Sequence, residues 1–301
     1  MTSERRSGTV ALVGRPNAGK STLMNRLVAE KVAIVSDKPQ TTRQRIVGIL
    51  SGDRGQMVFL DTPGFHKPLH RMNRQMVRAA QEALEEADVV CLLVEASAAF
   101  GSGDSRMLEI VAQAPGRKIL ALNKIDLVAK PKLLPRLARY ADTELFEELV
   151  PVSALTGDGC DLLLDLLWDR LPTGEPLHDP QLFTPHSERF LAAERIREKV
   201  LERTRDELPY TTAVRLDSWE EEPSGRIVVH GTILVERPGH KKILVGKEGT
   251  MIREIGTTAR HELQEMLGCP VHLELFVRLE PGWREDRRLL ADLDRHVIAG
   301  L

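Results

Sequence analysis

The chain has 301 residues, 42% hydrophobic and 29% charged, enough to bury more than one core, and two domains are expected. Its formal net charge of −2 gives no global attraction to nucleic acid, so any such binding has to rest on a local patch. Cys91, Cys160 and Cys269 lack disulfide or metal spacing, the nine histidines form no ligand-spaced cluster, and the longest apolar run, Val89 to Val94, is far too short to cross a bilayer.

From residue 8 to about 171, short apolar strands alternate with helix-like stretches, the pattern of an α/β fold with a doubly wound, mostly parallel sheet. The run Val10 to Val13 leads into Gly14, Arg15, Pro16, Asn17, Ala18, Gly19, Lys20 and Ser21, with Thr22 in the helix-like stretch that follows. Two glycines at this spacing before Lys-Ser make a phosphate-binding loop, although a glycine-rich turn into a helix reads the same way in isolation. In the phosphate reading, Gly14 and Gly19 let backbone N–H groups point at a β-phosphate near the positive end of the helix dipole. Lys20 reaches the β- and γ-phosphates, and Ser21 offers a hydroxyl to Mg²⁺.

Met57 to Leu60 reads as a buried strand that ends at Asp61, Thr62, Pro63, Gly64 and Phe65. Asp61 is placed to hold a metal through water, and Gly64 to bring its N–H against a γ-phosphate. Phe65 stands where many small GTPases carry a water-orienting glutamine, so slow unaided hydrolysis is expected. Ala121-Leu122 ends another strand before Asn123, Lys124, Ile125 and Asp126. Asp126 can accept from N1–H and the exocyclic amine of guanine, Asn123 can bond the other edge, and Lys124 can cover the ring. Ser153, Ala154 and Leu155 follow the strand Leu149 to Val152; a helix cap has the same composition, so this segment gains weight only from its company. Delivered at the carboxyl ends of successive strands, the four segments predict a site for GTP and GDP, and a GTPase.

The expected domain layout is a nucleotide domain over residues 1–172, a proline-rich linker over 173–186, a second domain over 187–285 and a tail over 286–301. In the second domain Phe190, Ala193, Ile196 and Val200 make one helical face. Ala213 to Leu216 and Ile227 to Val235 read as strands, Ile252 to Met266 as a helix, and Val271 to Leu279 as a half-buried strand. Before the second helix an apolar stretch, Ile243 to Val245, is expected as a strand leading into Gly246, Lys247, Glu248 and Gly249. A Gly-x-x-Gly loop of this kind clamps a nucleic-acid backbone in K-homology modules, and Arg237, His240, Lys241, Lys242 and Arg253 supply a basic surround. An α+β, type II K-homology RNA-binding domain is therefore expected.

Taken with the segments Gln40 to Arg43, Gln44 to Gly48, Glu207 to Tyr210, Val245 to Gly249 and Pro281 to Arg284, the chain resembles the Era family of bacterial ribosome-associated GTPases from about Gly8 to Arg284. The resemblance implies a switch that binds the single-stranded 3′ end of small-subunit ribosomal RNA and assists maturation of the small ribosomal subunit. It implies a cytoplasmic monomer that can associate peripherally with the inner membrane; the first residues, Met-Thr-Ser-Glu-Arg-Arg, lack the apolar stretch of a secretory signal. By position, Thr42 becomes the switch threonine, Ser21, Thr42 and Asp61 the Mg²⁺ set, and Asn17, Lys20, Thr42 and Gly64 the catalytic set. Residues 30–45 and 61 to about 75 become the two switches, and Asn17 a K⁺ ligand as in related GTPases. Ala18 stands where the family often has valine, and the loop after Glu95 is assigned no role. The alternative function is an RNA chaperone in which the nucleotide is structural. A GTPase of tRNA modification would need a one-carbon or cofactor domain that the sequence does not display.

Overall fold

The structure is a computed structural model that describes residues 5–38, 41–65, 70–294 and 297. The chain divides into two compact units, Met1–Leu69 with Asn73–Pro185, and His70–Met72 with His186–Leu301. The first unit carries β1 (Arg6–Gly14), α1 (Lys20–Val28), β2 (Ile46–Gly52), β3 (Gly55–Asp61), α2 (Arg71–Glu86), β4 (Val89–Glu95) and α3 (Ser102–Gln113). It continues with β5 (Arg117–Asn123), α4 (Leu133–Ala141), β6 (Glu148–Pro151) and α5 (Cys160–Arg170).

Its described strands form one sheet in the order β2-β3-β1-β4-β5-β6, parallel throughout except for β2, which runs against β3. The central strands are apolar runs because helices cover both faces: Val10 to Val13, Met57 to Leu60 and Val89 to Leu93 are buried almost without interruption. From β1 the order departs toward β3 on one side and β4 on the other. The crevice at such a switch point opens beyond the carboxyl end of β1, where Gly14 begins its loop and Asp61, Glu95 and Asn123 end their strands nearby.

Residues 173–186 do not hang free of this unit. Thr173 bridges Arg6, and the buried Gln56 side chain grips His178 twice, donating to its carbonyl at 2.9 Å and accepting from its N–H at 2.8 Å. Ile49 N–H donates to Phe183 O at 2.8 Å, and Thr184 Oγ1 donates to Val47 O at 2.6 Å. The segment thus satisfies backbone groups of β2, the edge strand of the sheet, which would otherwise stand open to another chain.

The second unit carries α6 (Glu188–Arg203), α7 (Leu208–Thr211), β7 (Thr212–Glu221), β8 (Ile227–Val235), α8 (Pro238–Val245), α9 (Thr250–Leu267), β9 (Val271–Leu279) and α10 (Arg287–Asp294). Ser187 caps α6, its hydroxyl accepting from Phe190 N–H at 3.2 Å. The sheet order is β7-β8-β9, antiparallel then parallel, and its core joins Ile196 and Val200 of α6 to Ile255, Ala259 and Leu263 of α9 over Val229, Ile233 and Val235. The expected strand at Ile243 to Val245 is instead the last turn of α8. Pro238 starts that helix, Gly246 stops it at a φ of 73°, and His240 and Leu244, four residues apart, share its buried face. Among the described residues no helix is long and apolar enough to cross a membrane.

Candidate functional site

The loop from β1 to α1 begins the site. Gly19, the N-cap of α1, lies at a φ of 95°, and a Cβ there would fall 2.2 Å from Asn123 Nδ2, so only glycine fits. No side chain caps α1, which leaves the N–H groups of its first turn available to an anion. They border a cleft of about 260 Å³ lined by Pro16, Asn17, Gly19, Lys20, Ser21, Thr22, Thr42, Gly64 and Lys124, with Val35 to Asp37 and Thr41 on the far wall.

Two opposite charges lie buried at its floor. Lys20 Nζ donates to Gly14 O and Arg15 O, each at 3.3 Å, and burial draws its pKa down even though Asp61 pulls it up. Asp61 has no exposed surface; burial raises its pKa against the opposing pull of Lys20, Ser21 and Thr42. Its Oδ2 accepts from Ser21 Oγ at 2.6 Å and from Thr42 Oγ1 at 3.1 Å, and its Oδ1 has no hydrogen-bond partner among the described residues. A buried carboxylate oxygen without a donor, beside two hydroxyls, is a hard oxygen set of the kind Mg²⁺ takes. Ser21, Thr42 and Asp61 therefore fit that ion, which when bound beside a nucleotide neutralises charge on the phosphate oxygens.

Thr62 Oγ1 donates to Leu12 O at 2.9 Å and ties the Asp-Thr-Pro-Gly turn to β1, with Pro63 between it and Gly64. Gly64 sits against Pro16, 3.1 Å from where its Cβ would stand. The Phe65 ring packs on the core cluster that includes Val13 and Leu92, so it is held by apolar contacts. Asn17, at a φ of 64°, donates from Nδ2 to Asp37 O at 2.6 Å, which joins the phosphate loop to the expected first switch. Arg15 turns its guanidinium to Asp104 at 3.1 Å. Residues 39–40 and 66–69 of the two expected switches, and 295–296 and 298–301 of the tail, lie outside the described residues.

Two residues after Lys124 of the cleft, Asp126 is exposed and its Oδ1 accepts from the buried Ser153 hydroxyl at 2.6 Å, which sets the carboxylate orientation. Lys124 lines the cleft with its ammonium 3.0 Å from Glu95. Asn123 has a structural role beside the expected one. Its Nδ2 donates to Ala18 O at 2.7 Å and its Oδ1 accepts from Ala154 N–H at 2.9 Å, so the amide clasps the phosphate loop to the Ser-Ala-Leu turn and keeps its second N–H for a base. Arg26 completes the clasp by donating to Ala154 O at 2.6 Å and Leu155 O at 2.5 Å, while the Leu155 side chain is exposed. Neither Glu95 nor Arg26 is marked by any motif; both act across the fold.

In the second unit α8, the turn Lys247–Gly249 and α9 form the glycine loop, with Glu248 at a φ of 54° and Gly249 at 77°. Arg237, Lys241, Lys242, Lys247, Glu248 and Arg253 are exposed around it, with Gly246 at its start. His240 is not among them. It is buried, its Nδ1 3.2 Å from Thr211 Oγ1 and its Nε2 3.3 Å from Glu207, because it points from α8 back toward α7. Beside the loop a groove of about 340 Å³ runs between α9 and β9, lined by Gly249, Ile252, Arg253, Gly256, Thr257, Arg260, Leu273 and Leu275. Gly256, Arg260, Leu273 and Leu275 escaped the sequence reading as groove residues. A glycine in mid-helix one heptad after Gly249 was the available signal.

The family model described as "50S ribosome-binding GTPase" matches residues 9–124, and that described as "KH domain" matches residues 207–284. The GTPase Era of Geobacter metallireducens is 47% identical over 289 residues, covering 96% of this chain and 97% of the relative. The chain belongs to the Era family of GTPases. The family's GTPase Era from Heliobacterium modesticaldum is 44% identical over 280 residues, covering 93% of this chain and 94% of its own. Among solved structures, Aquifex aeolicus Era bound to GDP and AlF4⁻ superposes with a TM-score of 0.92 at 36% identity, covering 96% of this chain and 98% of that one. An Era in complex with MgGDPNP and nucleotides 1506–1542 of 16S ribosomal RNA has a TM-score of 0.93 at 36% identity, with the same coverage.

The geometry at Asp126 sets a test of base choice. Asp126→Asn keeps the bond to Ser153 but replaces one acceptor oxygen by a donor, so GTP affinity should fall by about a hundredfold and xanthosine nucleotides should gain relative to it. Titration of both nucleotides against the wild type checks this; unchanged GTP affinity would remove Asp126 from base recognition.

Proposed function

We propose that this Era-family GTPase couples a GTP cycle at Gly14 to Ser21 to binding of the single-stranded 3′ end of small-subunit ribosomal RNA in the α9–β9 groove, and so assists small-subunit maturation. The observation that carries the reading is the groove. An apolar floor of Leu273, Leu275 and Ile252 for unstacked bases lies beside a glycine loop ringed by exposed lysines and arginines for phosphate. A similar Era solved with MgGDPNP and 16S ribosomal RNA nucleotides supports the same pairing of ligands here. We assign the nucleotide role to residues 1–172, the RNA role to 187–285, and a connecting role to 173–186, with the tail 286–301 flanking.

In the nucleotide site, Lys20 and the N–H groups from Gly14 to Thr22 bind the phosphates, and Ser21, Thr42 and Asp61 hold Mg²⁺. Gly64 senses the γ-phosphate, Asn123, Asp126 and Lys124 take guanine, and Ser153, Ala154 and Leu155 wall it. GTP binding draws Thr42 onto the metal and orders the first switch; hydrolysis releases it. A ribosomal RNA ligand fits a cytoplasmic monomer, and peripheral contact with the inner membrane is a further part of the reading.

Two expected outcomes follow from these assignments. Gly249→Asp places a carboxylate where phosphate has to approach: a Cβ there meets nothing nearer than Ile252 Cγ2 at 4.0 Å, and the φ of 77° adds backbone strain to the charge. Binding of an oligonucleotide matching the small-subunit 3′ end should weaken by at least about tenfold at fixed salt, with GDP affinity unchanged. Wild-type RNA affinity in that variant would exclude the loop. The second concerns Asn17, placed at the phosphate loop as a K⁺ ligand that stands in for an arginine finger. Hydrolysis should run faster in K⁺ than in Na⁺, and Asn17→Ala should abolish the difference; equal rates in both salts for the wild type would end that assignment.

A further inference from the structure

A second cavity of about 500 Å³ opens in the first unit, between the loop that follows β4 and helix α4, and nothing in the nucleotide or RNA reading uses it. Its residues are separate from those of the phosphate cleft. The two sites adjoin at one ion pair, since Glu95 lines this cavity and its partner Lys124 lines the other.

The walls combine two chemistries. Phe100 and Tyr140 meet edge to face with ring centroids 5.7 Å apart, over a floor that includes Leu122. The Arg139 guanidinium lies 5.0 Å from the Phe100 ring centroid, which holds it at the cavity wall, and Arg136 donates to Ala98 O at 3.4 Å. Lys132 adds a third cation, and the acid lining the cavity, Glu95, is already paired with Lys124. Tyr140 is 6% exposed and lines the cavity. Burial, helped by Asp104, pushes that phenol up to about 12, so it remains a neutral donor at physiological pH.

A phenol, three cations and an aromatic wall have one common complement. We propose that this cavity binds a small amphipathic anion, a planar apolar body carrying a phosphate or carboxylate, with the body against Phe100 and the anionic group on Arg136, Arg139 and the Tyr140 hydroxyl. The volume lies within the range of small-molecule sites. Guanidinium pairs suit the fork geometry of both anions.

The test uses the full chain saturated with GDP and Mg²⁺, so that the phosphate cleft is filled, and titrates 1-naphthyl phosphate by calorimetry. Neutral 1-naphthylmethanol and inorganic phosphate are run beside it. The naphthyl phosphate should bind at least about tenfold more tightly than either control, and Arg136→Gln and Arg139→Gln should each remove about tenfold. Ala99→Trp, at an exposed position on the rim, should block binding while leaving GDP affinity unchanged. Lys247→Ala, on the other unit, should bind the probe as the wild type does. Binding that is absent, that survives both arginine variants, that is displaced by added GTP, or that is matched by the neutral alcohol would overturn the site.

Discussion

The buried pair of Lys20 and Asp61 is the constraint on which the first unit turns. Each charge has been drawn out of water, and burial pushes both groups toward their neutral forms. Neither is fully satisfied among the described residues: Lys20 makes two long bonds to loop carbonyls, and Asp61 keeps one oxygen without a donor. A triphosphate with a divalent cation supplies both missing charges at once. The strand order serves that end, since β1 between β3 and β4 brings the phosphate loop and the end of β3 to one crevice.

In the proposed function the same carboxylate gives ligand state a route to the rest of the unit. Thr42 enters the site through Asp61 Oδ2 and through Ser21, with the two hydroxyls 3.1 Å apart. The residues that follow Thr42 become β2, and β2 is the strand along which residues 173–186 are bonded. A change at the proposed metal set therefore has a covalent and hydrogen-bonded route to residues 173–186. In the second unit the corresponding constraint is the pair of left-handed turns at Glu248 and Gly249, which set the start of α9 beside the groove.

Much of this was legible in the sequence for physical reasons that are local. β9 follows from strict alternation, the central strands from apolar runs, and the phosphate loop from glycines that no Cβ could replace. What was not legible depends on partners far away in the chain. Asn123 reads only as a base ligand until Ala18 and Ala154 are seen to share its amide. His240 looks like part of a basic patch until α8 proves to be a helix that turns it onto Thr211 and Glu207. The apolar stretch at Ile243 to Val245 is compatible with strand or helix by composition, and Pro238 and Gly246 decide it. The prolines of residues 173–186 suggest a free linker, while the Gln56 clasp can be seen only once β3 is in place.

The most direct test of the account is the Mg²⁺ dependence of binding of a non-hydrolysable GTP analogue in the wild type and in Asp61→Asn. If the buried carboxylate exists to be completed by the metal, Mg²⁺ should tighten binding in the wild type by more than about tenfold, and the variant should lose most of that gain. An equal gain from Mg²⁺ in Asp61→Asn would contradict the role given to Asp61 and the coupling built upon it.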